Sequence, residues 1–456
     1  MFNNPPQKRR LSILQGTPAQ IICLSFLGVI LAGTVLLMLP ISTRNGVFTS
    51  FSDALFTATS ATCVTGLIVH DTYLYWSGFG QFVIILLIQI GGLGLVTFGG
   101  FFTLGLGRKL GLRSMDLVKE SASTDSFADV KRMVRTIFGV TFAIEAIGAV
   151  VLCFTSVPIY GLEGIAISAF LSISAFCNAG FDLMGREGEY ASLMHYVSEP
   201  QVYLPIALLV VFGGLGFVVW RELFRYREDK KLSLHSRLVL IVTGGFILAG
   251  TIAFLVFEWN NPNTMQPLSL ADKLGAGFFQ SVSCRTAGFN TIDQAGLSNE
   301  SKLTSIVLMF IGAAPASTGG GIKITTIAVV VMTVVSVLRG YDDTVIMRRK
   351  VDSRSVYKAI ALLLLGLLVV TVCSLVIYFA LDADQSAIDV VFEEVSAFGT
   401  VGLSAGITAK LGAASRYMLI LSMFLGRVGL LSLAISLTLR TGSNKEVLPQ
   451  GKIIIG

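Results

Sequence analysis

Four short segments, each ending in glycine, carry residue types that can bind a bare monovalent cation. An extended loop of Thr, Val, Ala or Asn before a glycine can turn its backbone carbonyls toward an axis, where they replace the hydration shell of an ion. Glycine suits the last position because a carbonyl-inward backbone visits dihedral angles that a β-carbon resists. The predicted cation ligands are the carbonyls of Val64, Thr65, Gly66, Asn178, Ala179, Gly180, Thr286, Ala287, Gly288, Thr400, Val401 and Gly402.

The alternative is that these glycines only let helices pack closely, as small residues often do in membranes. The spacing decides between the two. Successive glycines lie 114, 108 and 114 residues apart. A second marker begins 25, 33, 24 and 24 residues after each glycine, at Gly91, Gly213, Gly312 and Gly426. Because four blocks keep this order, the sequence favours a filter over helix packing.

The elements that must position these loops are apolar. A spanning helix needs about 20 apolar residues, and such runs lie near 19–40, 79–106, 133–157, 201–222, 236–258, 301–338, 356–380 and 414–438. Shorter stretches that precede the filter segments are too short to span and indicate re-entrant helices, at 50–62, 163–176, 268–284 and 386–398. We predict an all-α integral membrane protein with four pseudo-symmetric helix–pore loop–helix repeats, eight spanning helices and four re-entrant short helices around a central pore.

The domain boundaries follow from these runs. The four repeats are predicted at 19–107, 133–222, 236–338 and 356–438, with a broken second helix in the third repeat only. Cytoplasmic segments are predicted at 1–18, 108–132, 223–235, 339–355 and 439–456. The linkers around 221–237 and 339–358 are either docking surfaces or simply solvated charge.

Composition and charge fix the setting. With 53% hydrophobic and 14% charged residues, the chain is too apolar for a soluble domain and needs a lipid bilayer. Of its 34 Lys and Arg, 25 lie in the termini and in the linkers between repeats, so the positive-inside rule places both termini in the cytoplasm. The charge thus indicates topology and no nucleic-acid partner. The six Cys show no CxxC spacing, which predicts neither disulfides nor zinc.

The filter segments resemble a known family. Val64-Thr65-Gly66-Leu67, Asn178-Ala179-Gly180-Phe181, Thr286-Ala287-Gly288-Phe289-Asn290, Thr400-Val401-Gly402-Leu403 and the run 88–94 look like the Trk/Ktr/HKT superfamily, and in particular the membrane subunit of Ktr-type bacterial potassium uptake systems. The resemblance implies potassium transport, sodium as a candidate activator, a homodimer with one pore per subunit, and a cytoplasmic ring of nucleotide-binding regulatory subunits. It also implies the bacterial cytoplasmic (inner) membrane. In that family a glycine at the first filter position is typical of potassium-preferring members, so the resemblance implies that Gly66 favours potassium over sodium.

A polar interruption in the sixth apolar run is a candidate gate. Residues 312–321 hold four glycines, one proline and two hydroxyls, so an unbroken helix is disfavoured. Non-helical backbone at membrane depth must be buried in protein or line a wet cavity. Following the third filter loop, it would cross the pore, a role that the resemblance also implies. The predicted gate residues are Gly312, Ala316, Ser317, Thr318, Gly319, Gly320, Gly321 and Arg427.

Arg427 is assigned to the gate because a charge inside a span is costly without a partner. We expect it to donate hydrogen bonds to carbonyls of the 312–321 loop and to oppose cation passage; the alternative is that it reaches the membrane interface. Lys323 is expected to be an ordinary interface lysine. The run Gly319-Gly320-Gly321-Ile322-Lys323 lacks the Gly-Lys-Ser/Thr of a phosphate loop, so no nucleotide is expected on this chain.

Acidic residues leave further alternatives open. Asp71, Asp182 and Asp293 follow filter glycines and either form a cation-attracting vestibule or are solvated loop residues. The sequence contains no recognisable pairing of a nucleophile with a base, so we do not expect an enzyme. Besides uptake through a pore, a sodium- or proton-coupled symporter or a sodium-conducting transporter fits the sequence. Intramembrane carboxylates that such coupling needs are offered by Glu145 and by the pair Glu393-Glu394.

Overall fold

The computed structural model describes residues 18–94, 130–381 and 386–430. In these ranges the chain is helical apart from turns and one antiparallel hairpin, β1 (Val345–Ile346) with β2 (Arg349–Lys350). The α-helices are α1 (Pro18–Met38), α2 (Phe51–Cys63), α3 (Thr72–Tyr75), α4 (Gly78–Leu93), α5 (Val130–Tyr160), α6 (Glu163–Phe176), α7 (Pro200–Gly214), α8 (Phe217–Asp229), α9 (Leu234–Glu258), α10 (Leu270–Ser283), α11 (Asn299–Phe310), α12 (Ile324–Leu338), α13 (Ser353–Ala380), α14 (Ala387–Gly399) and α15 (Ala413–Val428). Short 3₁₀ turns lie at Pro40–Ser42, Met184–Arg186, Met194–Tyr196 and Thr408–Lys410.

The first helix of each repeat is long and apolar enough to cross a membrane. The qualifying stretches are Gln20–Met38 of α1, Val134–Tyr160 of α5, Leu234–Glu258 of α9 and Ser353–Ala380 of α13. Their outward faces expose large apolar side chains such as Val35, Phe154, Leu248 and Phe379. Such faces need hydrocarbon around them. The prediction of an all-α membrane protein is confirmed.

The predicted re-entrant helices are present as α2, α6, α10 and α14, with 13 or 14 residues each. They are too short to span a bilayer and are buried among the spans. Phe56, Phe176, Phe279 and Phe392, one from each, are at most 1% exposed. These helices form the inner layer of the fold and end at the filter segments.

The second helices differ from the prediction that only the third repeat is broken. In the second repeat, α7 and α8 meet at a bend of 96°, so the predicted straight span at 201–222 is wrong. Helices α4 and α15 end at Leu93 and Val428, and the next residues, Gly94 and Gly429, have φ of 79° and 91°. Gly216, at the 96° bend, has φ of 88°. The predicted continuations at 95–106 and 431–438 lie outside the described residues.

The physical reason is a close approach of backbones. A Cβ added at Gly91, Gly213 or Gly426 would overlap the carbonyl oxygen of Thr62, Phe176 or Phe398, respectively, at the end of the re-entrant helix of its own repeat. Each second helix therefore packs its glycine directly on the residue that leads into the filter segment. Three residues later, the left-handed glycine turns the chain, which only glycine does without strain.

Candidate ion-conduction site

The four filter glycines form a closed ring. All have positive φ: 95° at Gly66, 69° at Gly180, 81° at Gly288 and 96° at Gly402. A Cβ added at each would meet the carbonyl oxygen that precedes the next repeat's glycine: Ala179 O at 2.5 Å from Gly66, Ala287 O at 2.8 Å from Gly180, Val401 O at 2.5 Å from Gly288, and Thr65 O from Gly402. The order 1-2-3-4-1 closes around one axis. The structure thus brings all four predicted segments together.

The backbone amides of these loops donate hydrogen bonds to the re-entrant helices behind them. Thr65 N donates to Ser60 O at 2.8 Å, and Val401 N donates to Ser396 O at 2.8 Å. Gly66 N and Gly402 N donate to the hydroxyls of the same two serines, each at 3.1 Å. The equivalent amides of Ala179 and Ala287 donate to Ser174 O and Ser283 O.

Four backbone carbonyls of the ring accept no hydrogen bond from the described residues. Among the hydrogen bonds of the described residues, none has Thr65 O, Ala179 O, Ala287 O or Val401 O as its acceptor, although these residues are at most 1% exposed. Buried backbone carbonyls are nearly always paired with protein or water. Four such carbonyls around one axis have the chemistry to coordinate a cation or to bind water.

Strained residues precede the ring. Val64, Asn178, Thr286 and Thr400 have φ of 59°, 58°, 69° and 51°. For β-branched Val and Thr this is a rare backbone conformation, and such strain persists only where the surroundings impose it, often at functional sites. The sequence segments gave no sign of it, because Val and Thr favour extended backbone.

A cavity of about 310 Å³ opens on one side of the ring. All four filter glycines line it, together with the three predicted aspartates and Lys410. Asp71 also accepts hydrogen bonds from the amides of Tyr73 and Leu74 at 2.9 Å. The Asp71 carboxylate therefore stabilises its own loop and also faces the cavity. We call this cavity the vestibule.

The 312–321 loop lies on the other side of the ring. It is non-helical, and its contacts reach the residues beneath the filter. Gly320 N donates to Thr400 Oγ1 at 3.0 Å. Thr318 Oγ1 donates to Phe176 O at 3.1 Å and lies 3.1 Å from the Asn178 side-chain amide. A Cβ at Gly319 would overlap Thr286 Oγ1, so this loop packs directly under three of the four filter segments.

The bend of the second repeat holds the same loop. Ala314 N donates to Gly214 O at 3.1 Å, and Phe217 N, in the first turn of α8, donates to Ala316 O at 2.9 Å. The marker of the fourth repeat contributes as well, since Gly321 N donates to Gly426 O at 3.2 Å. The breaks in different repeats therefore pack on one another below the filter.

Arg427 donates to a carbonyl of the loop, as the sequence predicted. Its guanidinium also donates to two carbonyls of the first repeat, which sequence analysis missed. The acceptors are Thr318 O, Gly91 O and, at 3.3 Å, Gly92 O. Arg427 lies in the fourth repeat and joins the third repeat to the first, so the alternative of reaching the membrane interface is wrong.

Lys323 is not the interface lysine that the sequence favoured. Its ammonium donates to Gly319 O at 2.6 Å and to Gly320 O at 3.4 Å. The signal in the sequence was the spacing, because Lys323 follows Gly319 by four residues and Gly320 by three, within reach of their carbonyls. Its partners exist because the loop is not helical and leaves these carbonyls free.

Two buried carboxylates in α14 support the fourth filter segment and its surroundings. The Ser404 hydroxyl, just beyond Gly402, donates to Glu393 at 2.5 Å, and the Ser422 hydroxyl of α15 donates to Glu394 at 2.5 Å. Cys63, Cys177 and Cys284 are free and buried behind the loops.

Comparison with known proteins agrees with this geometry. Residues 10–447 match the family model described as TrkH, a cation transport protein. The chain belongs to the TrkH family. Family members transport ions and are not enzymes, as the sequence predicted. Similar TrkH-family relatives include Ktr system potassium uptake protein B of Bacillus subtilis (strain 168), 41% identical over 446 residues that cover 96% of this chain and 97% of that protein.

The potassium/sodium uptake protein NtpJ of Enterococcus hirae is 35% identical over 455 residues, which cover 98% of each chain. Among solved structures, the crystal structure of the potassium transporter TrkH from Vibrio parahaemolyticus superposes with a TM-score of 0.72 at 18% identity and covers 94% of this chain and 87% of that one. At this identity the match supports the shared TrkH fold.

Proposed function

We propose that this chain conducts potassium into the cell across the bacterial cytoplasmic membrane, through the ring of carbonyls at the four filter glycines. The observation that carries the proposal is the set of four buried carbonyls without a hydrogen-bond donor among the described residues. Full-length similarity to a potassium uptake protein supports potassium as the ion. The re-entrant helices end at the ring, and the negative ends of their dipoles favour cations over anions.

The driving force needs no nucleotide on this chain. A cation that enters down an inside-negative potential gains about 2.3 kcal/mol per 100 mV. At equilibrium this corresponds to an accumulation of roughly fiftyfold. The proposed orientation places both termini in the cytoplasm and the vestibule outside, because most Lys and Arg lie in the linkers on the other side.

Below the filter, the 312–321 loop and Arg427 are proposed as the gate. The loop packs under three filter segments, and Arg427 ties it to Gly91 and Gly92 in another repeat. A guanidinium charge next to the axis raises the energy of a passing cation. We propose further that the chain works as a homodimer and that a ring of cytoplasmic nucleotide-binding subunits moves this gate, with sodium as an activator. The name Ktr system of the relatives supports a separate subunit.

The test of the proposed function is rubidium flux into liposomes that contain the purified full-length chain and are buffered more acidic inside than outside, so that a proton ionophore sets an inside-negative potential. We expect potential-driven uptake that excess potassium competes away. An absence of flux above that of empty liposomes, with folded protein present, would contradict conduction by this chain alone.

A sodium-coupled or sodium-conducting transporter is the second candidate, because one relative is named a potassium/sodium uptake protein. The same liposomes separate the possibilities when sodium is varied. Activation adds rubidium flux without net sodium movement, coupling moves both ions in a fixed ratio, and conduction of sodium shows as uptake of sodium itself.

The vestibule predicts a pH dependence of uptake. Asp182 lies in the loop that lines the cavity, outside the spanning helices, and burial and the nearby charge of Asp71 raise its pKa to about 6. Above this pH the carboxylate is charged and attracts cations; below it the charge is lost. Flux should therefore fall as the pH on the vestibule side drops through about 6, and Asp182→Asn should give a low flux without this step.

The matched control is Asp293→Asn, which removes a charge from the same cavity. This variant should lower the flux at high pH while the step near pH 6 remains. Rubidium uptake is measured in liposomes of each variant over a pH series in which the inside and outside pH change together, so that the pH difference and the driving force stay constant. A step of unchanged position and size in Asp182→Asn would show that another group titrates.

A further inference from the structure

A carboxylate in the second repeat lies apart from the pore. Glu145, on α5, is 4% exposed, and the Gln89 side-chain amide of α4 donates to both of its oxygens at 3.2 Å. None of the ion pairs between described residues includes Glu145. Intramembrane carboxylates are costly, and they usually mark a site that binds an ion or a proton.

Glu145 lies at the floor of a crevice between α4, α5 and α6. The crevice has a volume of about 350 Å³, within the range of small-molecule sites. Its mouth is formed by Phe82, Leu86 and Phe142, which are 61%, 41% and 50% exposed. Its floor carries only two polar side chains, Glu145 and Gln89. The site thus has apolar walls that face outward and an acceptor at its base.

We propose that this crevice binds a lipophilic ammonium cation, with its alkyl part against the phenylalanines and its ammonium at Glu145. The choice of occupant follows from charge complementarity, because an ionised carboxylate with no basic partner among the described residues attracts a cation and repels the anion of a fatty acid. The ammonium brings donors only, and Gln89 Oε1 offers a second acceptor beside the Glu145 oxygens. Alkyl chains bury readily against such walls.

The site is linked to the pore through two neighbours. The Cys177 thiol donates to Gln89 Oε1 at 3.7 Å and to Glu145 Oε1 at 3.8 Å, and the next residue is Asn178 of the filter. Gln89 lies two residues before Gly91, whose carbonyl accepts a hydrogen bond from Arg427. An ammonium that takes over the acceptors of Gln89 and Glu145 therefore acts on both the filter and the gate. This consequence rests on the proposed function, whereas binding itself does not.

Binding is tested on the full-length chain in lipid nanodiscs with a dodecylamine that carries a photoreactive diazirine. We expect saturable labelling of peptides that contain residues 82–86 and 142–149, prevented by unlabelled dodecylamine. Glu145→Gln should lower this protected labelling about tenfold. Ala149→Phe, which fills the crevice and keeps the carboxylate, should lower it as well. The control Glu300→Gln changes an exposed carboxylate on α11 and should leave the labelling unchanged.

Three results would overturn the proposal. Equal labelling of wild type and Glu145→Gln, or equal protection by dodecanol, would mean that the crevice takes any alkyl chain. No labelling of these peptides in wild type would mean that the crevice is covered, for example by a second copy of the chain. Rubidium flux is measured in parallel, so protected labelling without flux would count against the proposed function and leave the ammonium site standing.

Discussion

Replacing Gly402 by Ala is expected to lower rubidium flux by about a hundredfold or more, a loss that corresponds to about 2.7 kcal/mol in the barrier. Gly402 has φ of 96°, where an L-residue is strained, and its new Cβ would overlap Thr65 O. Neither the backbone strain nor the overlap can relax without moving a carbonyl of the ring, because Thr65 is fully buried and its amide donates to Ser60. Flux into liposomes, normalised to incorporated protein, measures the loss.

Gly161→Ala is the matched control. Gly161 also has positive φ, 61°, but no atom lies within 4 Å of an added Cβ, and the residue sits between α5 and α6, away from the ring. The control variant carries comparable backbone strain without obstructing the filter, so its flux should stay near that of wild type. If Gly402→Ala conducts as well as Gly161→Ala, the ring is not the path of the ion.

The filter segments could be predicted because their signal is local and repeated. Glycine at a fixed phase after a short apolar stretch indicates where the chain turns, and all four positions, from Gly66 to Gly402, are in the ring. The re-entrant helices could be predicted for the same reason. Helices α2, α6, α10 and α14 begin and end within about two residues of the predicted bounds, a difference that is normal for helix ends. Local chemistry was enough for both.

The bend in the second helix of the second repeat could not be predicted in the same way. The segment 201–222 is continuous in hydropathy and reads as one span, because Leu215 and its neighbours are as apolar as the helix around them. At the bend the chain is held by tertiary contacts: Gly213 packs on Phe176 O, and the 312–321 loop exchanges backbone hydrogen bonds with Gly214 and Phe217. These contacts join residues that lie between 37 and about 100 positions apart, and they leave no periodic pattern in the sequence.

The asymmetry of the filter was partly predicted. The four loops differ in sequence, and the structure separates them into two pairs, with φ of 95° and 96° at Gly66 and Gly402 but 69° and 81° at Gly180 and Gly288. In repeats 1 and 4 both loop amides donate to one serine, and the second of them, at Gly66 or Gly402, donates to its hydroxyl. Among the described residues, the loops of repeats 2 and 3 show no such hydroxyl contact. A filter with unequal carbonyl positions fits each ion less uniformly than a fourfold-symmetric channel does, so we expect its selectivity to be looser.

Replacing Arg427 by Ala is expected to raise basal rubidium flux, measured without any regulatory partner, by about tenfold or more. The guanidinium holds Thr318 O in the third repeat and Gly91 O in the first. Hydrogen bonds to a charged group each contribute about 1.5–3 kcal/mol, so losing them frees the loop, and the positive charge that opposes a cation disappears as well. Both effects favour the open pore.

Further variants separate the loss of charge from the loss of hydrogen bonds and test the role of the loop. Arg427→Lys keeps the charge but cannot donate to carbonyls of two repeats in the fork geometry of a guanidinium, so its flux should lie between wild type and Arg427→Ala. Deleting 316–320 removes the loop that the guanidinium holds, and adding Arg427→Ala to the deletion should raise flux little further, because both changes break one contact set. Arg225→Ala, on an exposed face of α8, controls for loss of an arginine. Unchanged flux in both Arg427→Ala and the deletion would show that the 312–321 loop does not gate the pore.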